Sequence, residues 1–475
     1  VLLVRDKMEF SALGSRCPHY GAPLSKGVLR GHRLRCPWHG SCFNIKTGDI
    51  EEYPSLDCLP CFKVTVEDGK VFVTAKKKVL TIPAASKHHQ HLGLGVAALT
   101  CAETLRQEGF TGRIIMATKE KHAPYDKSKL SKEMNLKAED IYLRKPEFLC
   151  AHGIELWTEK EAASVDFQKQ KVHFMDGSSQ KYNQLLIATG GHSSFLKVPG
   201  ADLQNVCHLQ TPEDASKVLE LASGKNLVIV GASFIGMETA AFLSDKAAAI
   251  SVVEKQEFPF QKTLGPQVGG VVLKMLQSKG VKFYMKKELH ELKGKDGKVA
   301  EAILASGEKL PADVVVVGIG VTPNSAFLKG TSIAKDNSGA ILVDLRMQTN
   351  IPNVFAAGDV VSFPVALLNG GNKNIPSDAA IGSIAAFNML KKQKELHTVP
   401  FFWTTMLGRS IHYAGCGKGY TDTVLKGSLE EQKFLIFYLK DGFVTAAASL
   451  NCDPAVSLIA EVLYLGEKIS KEEAE

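Results

Sequence analysis

Apolar and polar positions change rhythm along this 475-residue chain, and each rhythm predicts a different kind of structure. Over the first 78 residues, short alternating runs such as Phe62-Lys-Val-Thr-Val and Lys70-Val-Phe-Val-Thr stand between turns rich in Gly, Cys and Pro, an all-β pattern. Val1 to Phe10 reads as a strand followed by a turn. Lys76-Lys77-Lys78 and Pro83 to Gln90 read as a linker. From about Leu92, strands alternate with helical segments, which implies parallel sheets covered by helices. Leu185 to Ala188, Asn226 to Val230, Ile250 to Val253 and Val314 to Val317 are apolar enough to be strands buried on both faces. Leu99, Ala102 and Leu105 recur at helical spacing within Leu99 to Gly109. After about Val399 the pattern is mixed α+β, with an aromatic strand at Phe434-Leu-Ile-Phe-Tyr438.

The composition narrows the class. Hydrophobic residues make up 45% and charged residues 23%, which supplies packed cores and excludes wholesale disorder. At about 150 residues per domain, the length predicts roughly three domains. A net charge of +7 is too mild for nucleic acid to be a predicted partner. Ten cysteines are ordinary usage, so no disulfide scaffold is expected, and Cys101, Cys150, Cys207, Cys416 and Cys452 read as small buried hydrophobes. No apolar run reaches a bilayer-spanning length. The chain opens at Val1 instead of Met and is read as lacking its natural start, so the expected intracellular location, mitochondrion or cytoplasm, stays open between the two.

Cysteines and histidines form the sharpest signal. Cys17-Pro-His19 is followed, after sixteen residues, by Cys36-Pro-Trp-His39. Each pair puts a thiolate and an imidazole on one short loop. Two such loops suit a [2Fe–2S] cluster with two Cys on one iron and two His on the other. Glycines at 21 and 40 let each loop close round the sulfurs, and Ser41 is a candidate donor to them. Zinc is the rival metal, although zinc fingers order like ligands in pairs. Cys58-Leu-Pro-Cys61 leads into a strand, where no helix end lowers a thiol pKa, and reads as structural. No set of two His and a carboxylate suggests a mononuclear iron site.

Two Gly-rich turns follow. Leu227-Val-Ile-Val-Gly231-Ala-Ser233-Phe-Ile-Gly236-Met-Glu238 is a strand, a turn and a helix start, where free N–H groups attract pyrophosphate. Ser233 replaces a middle glycine. Glu254 ends the next strand, 23 residues after Gly231, where an acid bonds the adenine ribose and favours NADH over NADPH. Gly93-Leu-Gly95-Val-Ala-Ala98 is the corresponding first loop, of FAD type. Its approach, Lys87-His-His-Gln-His91, is too polar for a central buried strand.

These motifs identify relatives. The first 78 residues resemble Rieske domains of the ferredoxin type; Ala22 stands where respiratory Rieske proteins carry a second disulfide cysteine, so Cys42 has no partner. The remainder resembles the FAD/NAD(P)H-dependent pyridine nucleotide-disulfide oxidoreductase superfamily. Leu185-Leu-Ile-Ala-Thr189-Gly190-Gly191 looks like its crossover between domains. Gly318-Ile-Gly320-Val-Thr-Pro323-Asn324 looks like its segment near nicotinamide. Thr349 to Asp359, with Gly358 and Asp359 at its end, looks like its second FAD signature, in which the aspartate bonds the ribityl chain and the loop opens a helix. Pro124-Tyr-Asp-Lys-Ser-Lys-Leu-Ser-Lys132 is similar to the FAD-binding stretch of the ferredoxin-reductase and apoptosis-inducing-factor branch, with Lys132 as its FAD-binding lysine. With a Rieske domain in front, the whole chain resembles the apoptosis-inducing-factor group that carries this fusion.

The resemblance implies an all-β Rieske domain (1–78), an FAD domain in two segments (79–215 and 336–396), an NADH domain between them (216–335) and a small α+β C-terminal domain (397–475). It implies electron flow from NADH through FAD to a cluster on Cys17, His19, Cys36 and His39, then to an unidentified acceptor, a protein among the candidates. Hydride transfer demands no side-chain acid or base, so no catalytic residue is named. The departures lie on the FAD side: the stretch 87–91, Lys119 for a ribose-binding acid, Lys127 and Ser128 for Arg-Pro, and a segment shortened to Ser377 to Gly382. They motivate an alternative, a flavin-deficient NADH- or protein-binding descendant with a role in cell death.

Overall fold

The computed structural model describes residues 1–74, 95–364 and 378–475, together with the short strand Asn372–Lys373. The N-terminal part is two antiparallel four-stranded sheets. One runs in the order Leu2–Asp6, Glu9–Leu13, Cys61–Glu67, Lys70–Thr74, and the other Val28–Arg30, Arg33–Arg35, Cys42–Asn44, Ile50–Glu52. Leu13, Leu24, Phe43 and Ile45 are buried in one small core with Cys17 and Cys36, so the cluster loops grow directly out of the packed interior.

The middle of the chain is α/β. Its clearest unit is a five-stranded parallel sheet ordered Val206–Cys207, Val314–Val317, Asn226–Val230, Ala249–Glu254, Lys282–Met285. The central strands are buried along nearly their whole length because helices cover one face and the antiparallel sheet Leu289–Lys295, Lys298–Leu304, Lys309–Pro311 covers the other, which is why they read as unbroken apolar runs. Helix Pro212–Ala222 starts at a capping box in which the Thr211 hydroxyl accepts from the Asp214 N–H at 3.2 Å and proline sits in the first turn.

The FAD-side sheet is less continuous. Among the described residues it comes as two separate parallel pairs, Ile114–Ala117 with Ile154–Trp157 and Leu185–Ile187 with Val354–Ala356. Two helices, Val96–Gln107 and Asp378–Met389, pack tightly against each other, with Gly382 facing the Ala97 carbonyl. Gly93 and the polar stretch 87–91 lie outside the described residues, as do Ser377 and the linker.

The C-terminal domain is a five-stranded antiparallel sheet, Phe401–Met406, Arg409–Gly415, Phe443–Leu450, Lys433–Lys440, Asp422–Ser428. Strand alternation serves two cores at once. Phe434, Ile436 and Tyr438 join the large core under the NADH sheet, while Phe437 and Leu439 pack with helix Ala455–Tyr464 on the other face.

The architecture is thus a Rieske β domain, a two-part α/β reductase and an α+β tail. Two local readings change. Gly358-Asp359 runs into the strand Val361–Pro364 and not into a helix. Cys150 is exposed and Cys452 half-buried, because the first ends a short surface helix and the second lies in a loop before helix Ala455–Tyr464. Among the described residues, no helix is long and apolar enough to cross a membrane.

Candidate functional site

The two metal loops have the same internal geometry. Cys17 N–H donates to Ala22 O at 2.9 Å and Cys36 N–H to Ser41 O at 2.7 Å. Gly21 and Gly40 each sit at φ 76°, a conformation that costs a side-chain-bearing residue strain. This geometry sets the expected ligands in two pairs, histidine with histidine and cysteine with cysteine. His19 Nδ1 and His39 Nδ1 face each other at 3.1 Å. Cys17 and Cys36 share a thiol hydrogen bond that lowers Cys36 to about 7, while that contact and burial push Cys17 up. Ser41 also hydrogen-bonds to Cys17 and accepts from Ser55 N–H at 2.9 Å. Burial lowers His19 to about 4 and His39 to about 2, so both imidazoles are neutral, the form that binds metal. Among the described residues, no three His, Cys, Asp or Glu gather round one point. The thiolate pair and the imidazole pair fit a [2Fe–2S] cluster.

Beside these loops opens a cavity of about 2420 Å³, far larger than the pocket of a single small ligand. Gly95, Ala98, Lys132, Thr189, Gly190, Ser233, Glu238, Gly320, Gly358 and Asp359 all line it. Gly231, Gly236 and Glu254 do not. Helices Val96–Gln107 and Phe234–Leu243 begin at Gly95 and Ser233 without a side-chain cap, which leaves their first N–H groups for an anion. Among the described residues, a Cβ on Gly95, Gly190 or Gly320 would meet no atom within 4 Å, so these three borders are space where a ligand's backbone-hugging group can lie. The cavity's size and its two helix N-termini fit two dinucleotides.

Individual residues take more specific parts. Gly231 packs its α-carbon on Gly318, where a Cβ would stand 2.3 Å from the carbonyl oxygen. Ser233 Oγ donates to that same oxygen at 2.6 Å, so the hydroxyl that replaces a glycine turns into the protein. Glu254 accepts from the N–H groups of Ala232 at 2.7 Å and Gln256 at 2.9 Å, which pins the Gly-rich turn to the next strand. Glu238 is buried and receives Thr404 Oγ1 at 2.6 Å, Lys132 Nζ at 3.0 Å and the Ser131 hydroxyl, joining three parts of the chain. Asp359 projects into the cavity, and enclosure by protein raises its carboxyl against the pull of Lys127. Thr189 Oγ1 donates to Asn324 O at 2.7 Å and locks the two crossover segments together.

What joins the metal loops to the cavity is visible only in the fold. His19 itself lines the cavity wall. Trp403 also lines it, stacks on His39 with ring centroids 4.1 Å apart and meets His19 edge-on at 5.5 Å. Tyr20 Oη donates to Asp126 at 2.5 Å across the same boundary. No spacing rule connects Trp403 to residues more than 360 positions earlier; in sequence it stands out only as one of three tryptophans and as the start of the segment Trp403 to Gly417 that shares the family resemblance.

Residues 92–382 match the pyridine nucleotide-disulphide oxidoreductase family. The chain belongs to that family. Residues 1–63 of this oxidoreductase match the Rieske [2Fe–2S] domain, and residues 401–475 the reductase C-terminal domain. The chain is 48% identical to apoptosis-inducing factor 3 of Mus musculus and of Homo sapiens, over its whole length and 82% of theirs. It is 30% identical to rhodocoxin reductase of Rhodococcus erythropolis, over 76% of this chain and 85% of that one. A ferredoxin reductase structure from Rhodopseudomonas palustris superposes with a TM-score of 0.77 at 26% identity, covering 81% of this chain and 96% of that one. Family membership makes this protein an oxidoreductase using FAD and NADH, and its Rieske domain implies a [2Fe–2S] cluster.

Proposed function

We propose that this oxidoreductase passes electrons from NADH by way of FAD to its own Rieske cluster, held by Cys17, His19, Cys36 and His39, and on to an acceptor outside the chain. A ferredoxin-like protein is the acceptor class favoured by its reductase relatives, among them a ferredoxin–NAD(+) reductase component from Paraburkholderia xenovorans at 29% identity. The observation that carries the reading is the Trp403 ring, stacked on a cluster imidazole and lining the dinucleotide cavity. When bound, flavin exchanges a two-electron donor for one-electron carriers, and the cluster takes single electrons.

The chain's own residues do the rest. The free N–H groups at Gly95 and Ser233 receive the pyrophosphates. Lys132, held by Glu238 at 3.0 Å on the cavity wall, would be the flavin-binding lysine. Asp359, on the cavity wall, would hold the ribityl chain. Glu254 holds the turn that would receive NADH, where its negative charge would disfavour a 2′-phosphate. Replacing Glu254 by alanine is expected to raise the KM for NADH about ten-fold and to narrow the preference over NADPH. Steady-state kinetics with both nucleotides check it.

The visible spectrum of the iron-reconstituted protein, before and after anaerobic NADH, tests the proposal. Flavin and cluster bands that both bleach support it. Cluster bands without flavin, unchanged by NADH, favour the flavin-deficient binding descendant, for which the name of the mammalian relatives raises a role in cell death.

A further inference from the structure

The boundary between the Rieske domain and the C-terminal domain is built from buried charge. Arg35, only 2% exposed, donates from Nε to Glu461 Oε2 at 2.8 Å and from Nη1 to the carbonyl of Gly40, next to His39, at 2.9 Å. Arg33 donates to the other oxygen of Glu461 at 2.6 Å and to Glu51 at 2.7 Å, and its guanidinium lies 3.9 Å over the Tyr464 ring. Glu52 receives both arginines. One turn earlier on the same helix, Ser457 Oγ donates to Cys36 O at 2.9 Å and approaches Pro37 O at 3.3 Å. The helix Ala455–Tyr464 therefore grips the second cluster loop at both ends, through Cys36 and through Gly40.

A buried ion-pair network adds little net stability, because desolvation offsets the attraction; its best use is to select one geometry over others. Here that geometry is the stacking of His39 on Trp403. We propose that Glu461 and Ser457 are positioning residues, which hold the cluster loop against Trp403 so that electrons cross from the cavity to the cluster within one docked molecule. This rests on the relay reading above. One electron leaves the reduced flavin side and one enters the cluster at each crossing, with no bond made or broken between domains.

The test uses the full chain loaded with FAD and cluster, mixed rapidly with NADH without oxygen, with flavin and cluster bands followed separately. Glu461→Gln is expected to leave flavin bleaching unchanged and to slow cluster reduction about ten-fold or more, as misplacement of a reacting pair does. Glu461→Asp, which keeps the charge, recovers part of the rate. Ser457→Ala removes only a hydroxyl and is expected to slow the same step about three-fold. The cluster's potential and paramagnetic spectrum stay as in the parent. A residue that merely supports the fold would lower the melting temperature and leave the ratio of the two rates unchanged. Hydrogen exchange on the unloaded chain is the second readout: Arg33–Arg35 and Ala455–Tyr464 are expected to exchange faster together in Glu461→Gln. Parent-like cluster reduction in both variants overturns the proposal. If the parent's own cluster stays oxidised under NADH, the relay reading fails instead; unchanged exchange in Glu461→Gln then overturns the positioning role as well.

Discussion

Replacing His39 by alanine is expected to abolish the cluster's absorption and its paramagnetic signal while NADH still bleaches the flavin. His39 and His19 present their Nδ1 atoms to one point, 3.1 Å apart, so one imidazole cannot stand in for both. Its neighbours offer no replacement ligand: the Trp403 ring covers one side, and the His412 ring lies 6.2 Å away, with its Nδ1 2.8 Å from Asp453. The loss reaches stability too. The Rieske core is small, a handful of apolar side chains round Leu13 and Phe43, and small cores depend on a metal for part of their stability. Removing the ligand, or stripping iron with a chelator, is expected to cost this domain on the order of 4 kcal/mol. Spectroscopy and thermal unfolding of the loaded protein check both effects. The exposed His32 on the same domain is the control: its alanine variant is expected to keep both bands.

Gly382→Ala is expected to destabilise the FAD domain by about 3 kcal/mol, against the usual sense of such a change. Within a helix, alanine is favoured over glycine by roughly 1 kcal/mol. Here the added Cβ would stand 1.8 Å from the carbonyl oxygen of Ala97 and 2.7 Å from its carbon. Both atoms are main chain, so no rotamer change relieves the overlap, and the helices Val96–Gln107 and Asp378–Met389 must move apart. The first of these helices begins at Gly95, on the cavity wall, so the shift also disturbs the proposed anion site there. The variant is expected to melt earlier and to lose flavin on gel filtration. Gly95→Ala separates the two effects. Its Cβ meets nothing within 4 Å, so stability holds, and flavin retention falls because the methyl enters the space the ligand needs. Equal melting temperatures for Gly382→Ala and its parent would refute the packing argument.

Much of the site was legible because its chemistry is local. Cys17-x-His19 and Cys36-x-x-His39 each fit on one loop, and a loop's ligand spacing is a property of a few consecutive residues. The same holds for Gly231 to Gly236, where a strand, a turn and a helix start are read off one short segment. The Gly358-Asp359 reading shows the limit. The motif marks the turn, yet the residues that follow pair as the strand Val361–Pro364, because partner strands and not local pattern decide that outcome. Ser233 shows another. Its identity is plain in sequence, but the direction of its hydroxyl depends on the Gly318 carbonyl, 85 residues later.

By itself the sequence determined the parts available to this protein: two cysteine–histidine loops, two Gly-rich turns, an acid at the end of a strand and three successive fold classes. Each depends on neighbours along the chain, where backbone geometry fixes spacing. Only the tertiary structure decided how those parts face one another. It set the metal loops beside the dinucleotide cavity, slid Trp403 between them, and pinned the arrangement with Arg33, Arg35 and Glu461, residues more than 420 positions apart. Such contacts carry no periodicity, since any tryptophan or glutamate in any strand or helix can meet them once packing brings it there. Which one does is settled by the whole fold.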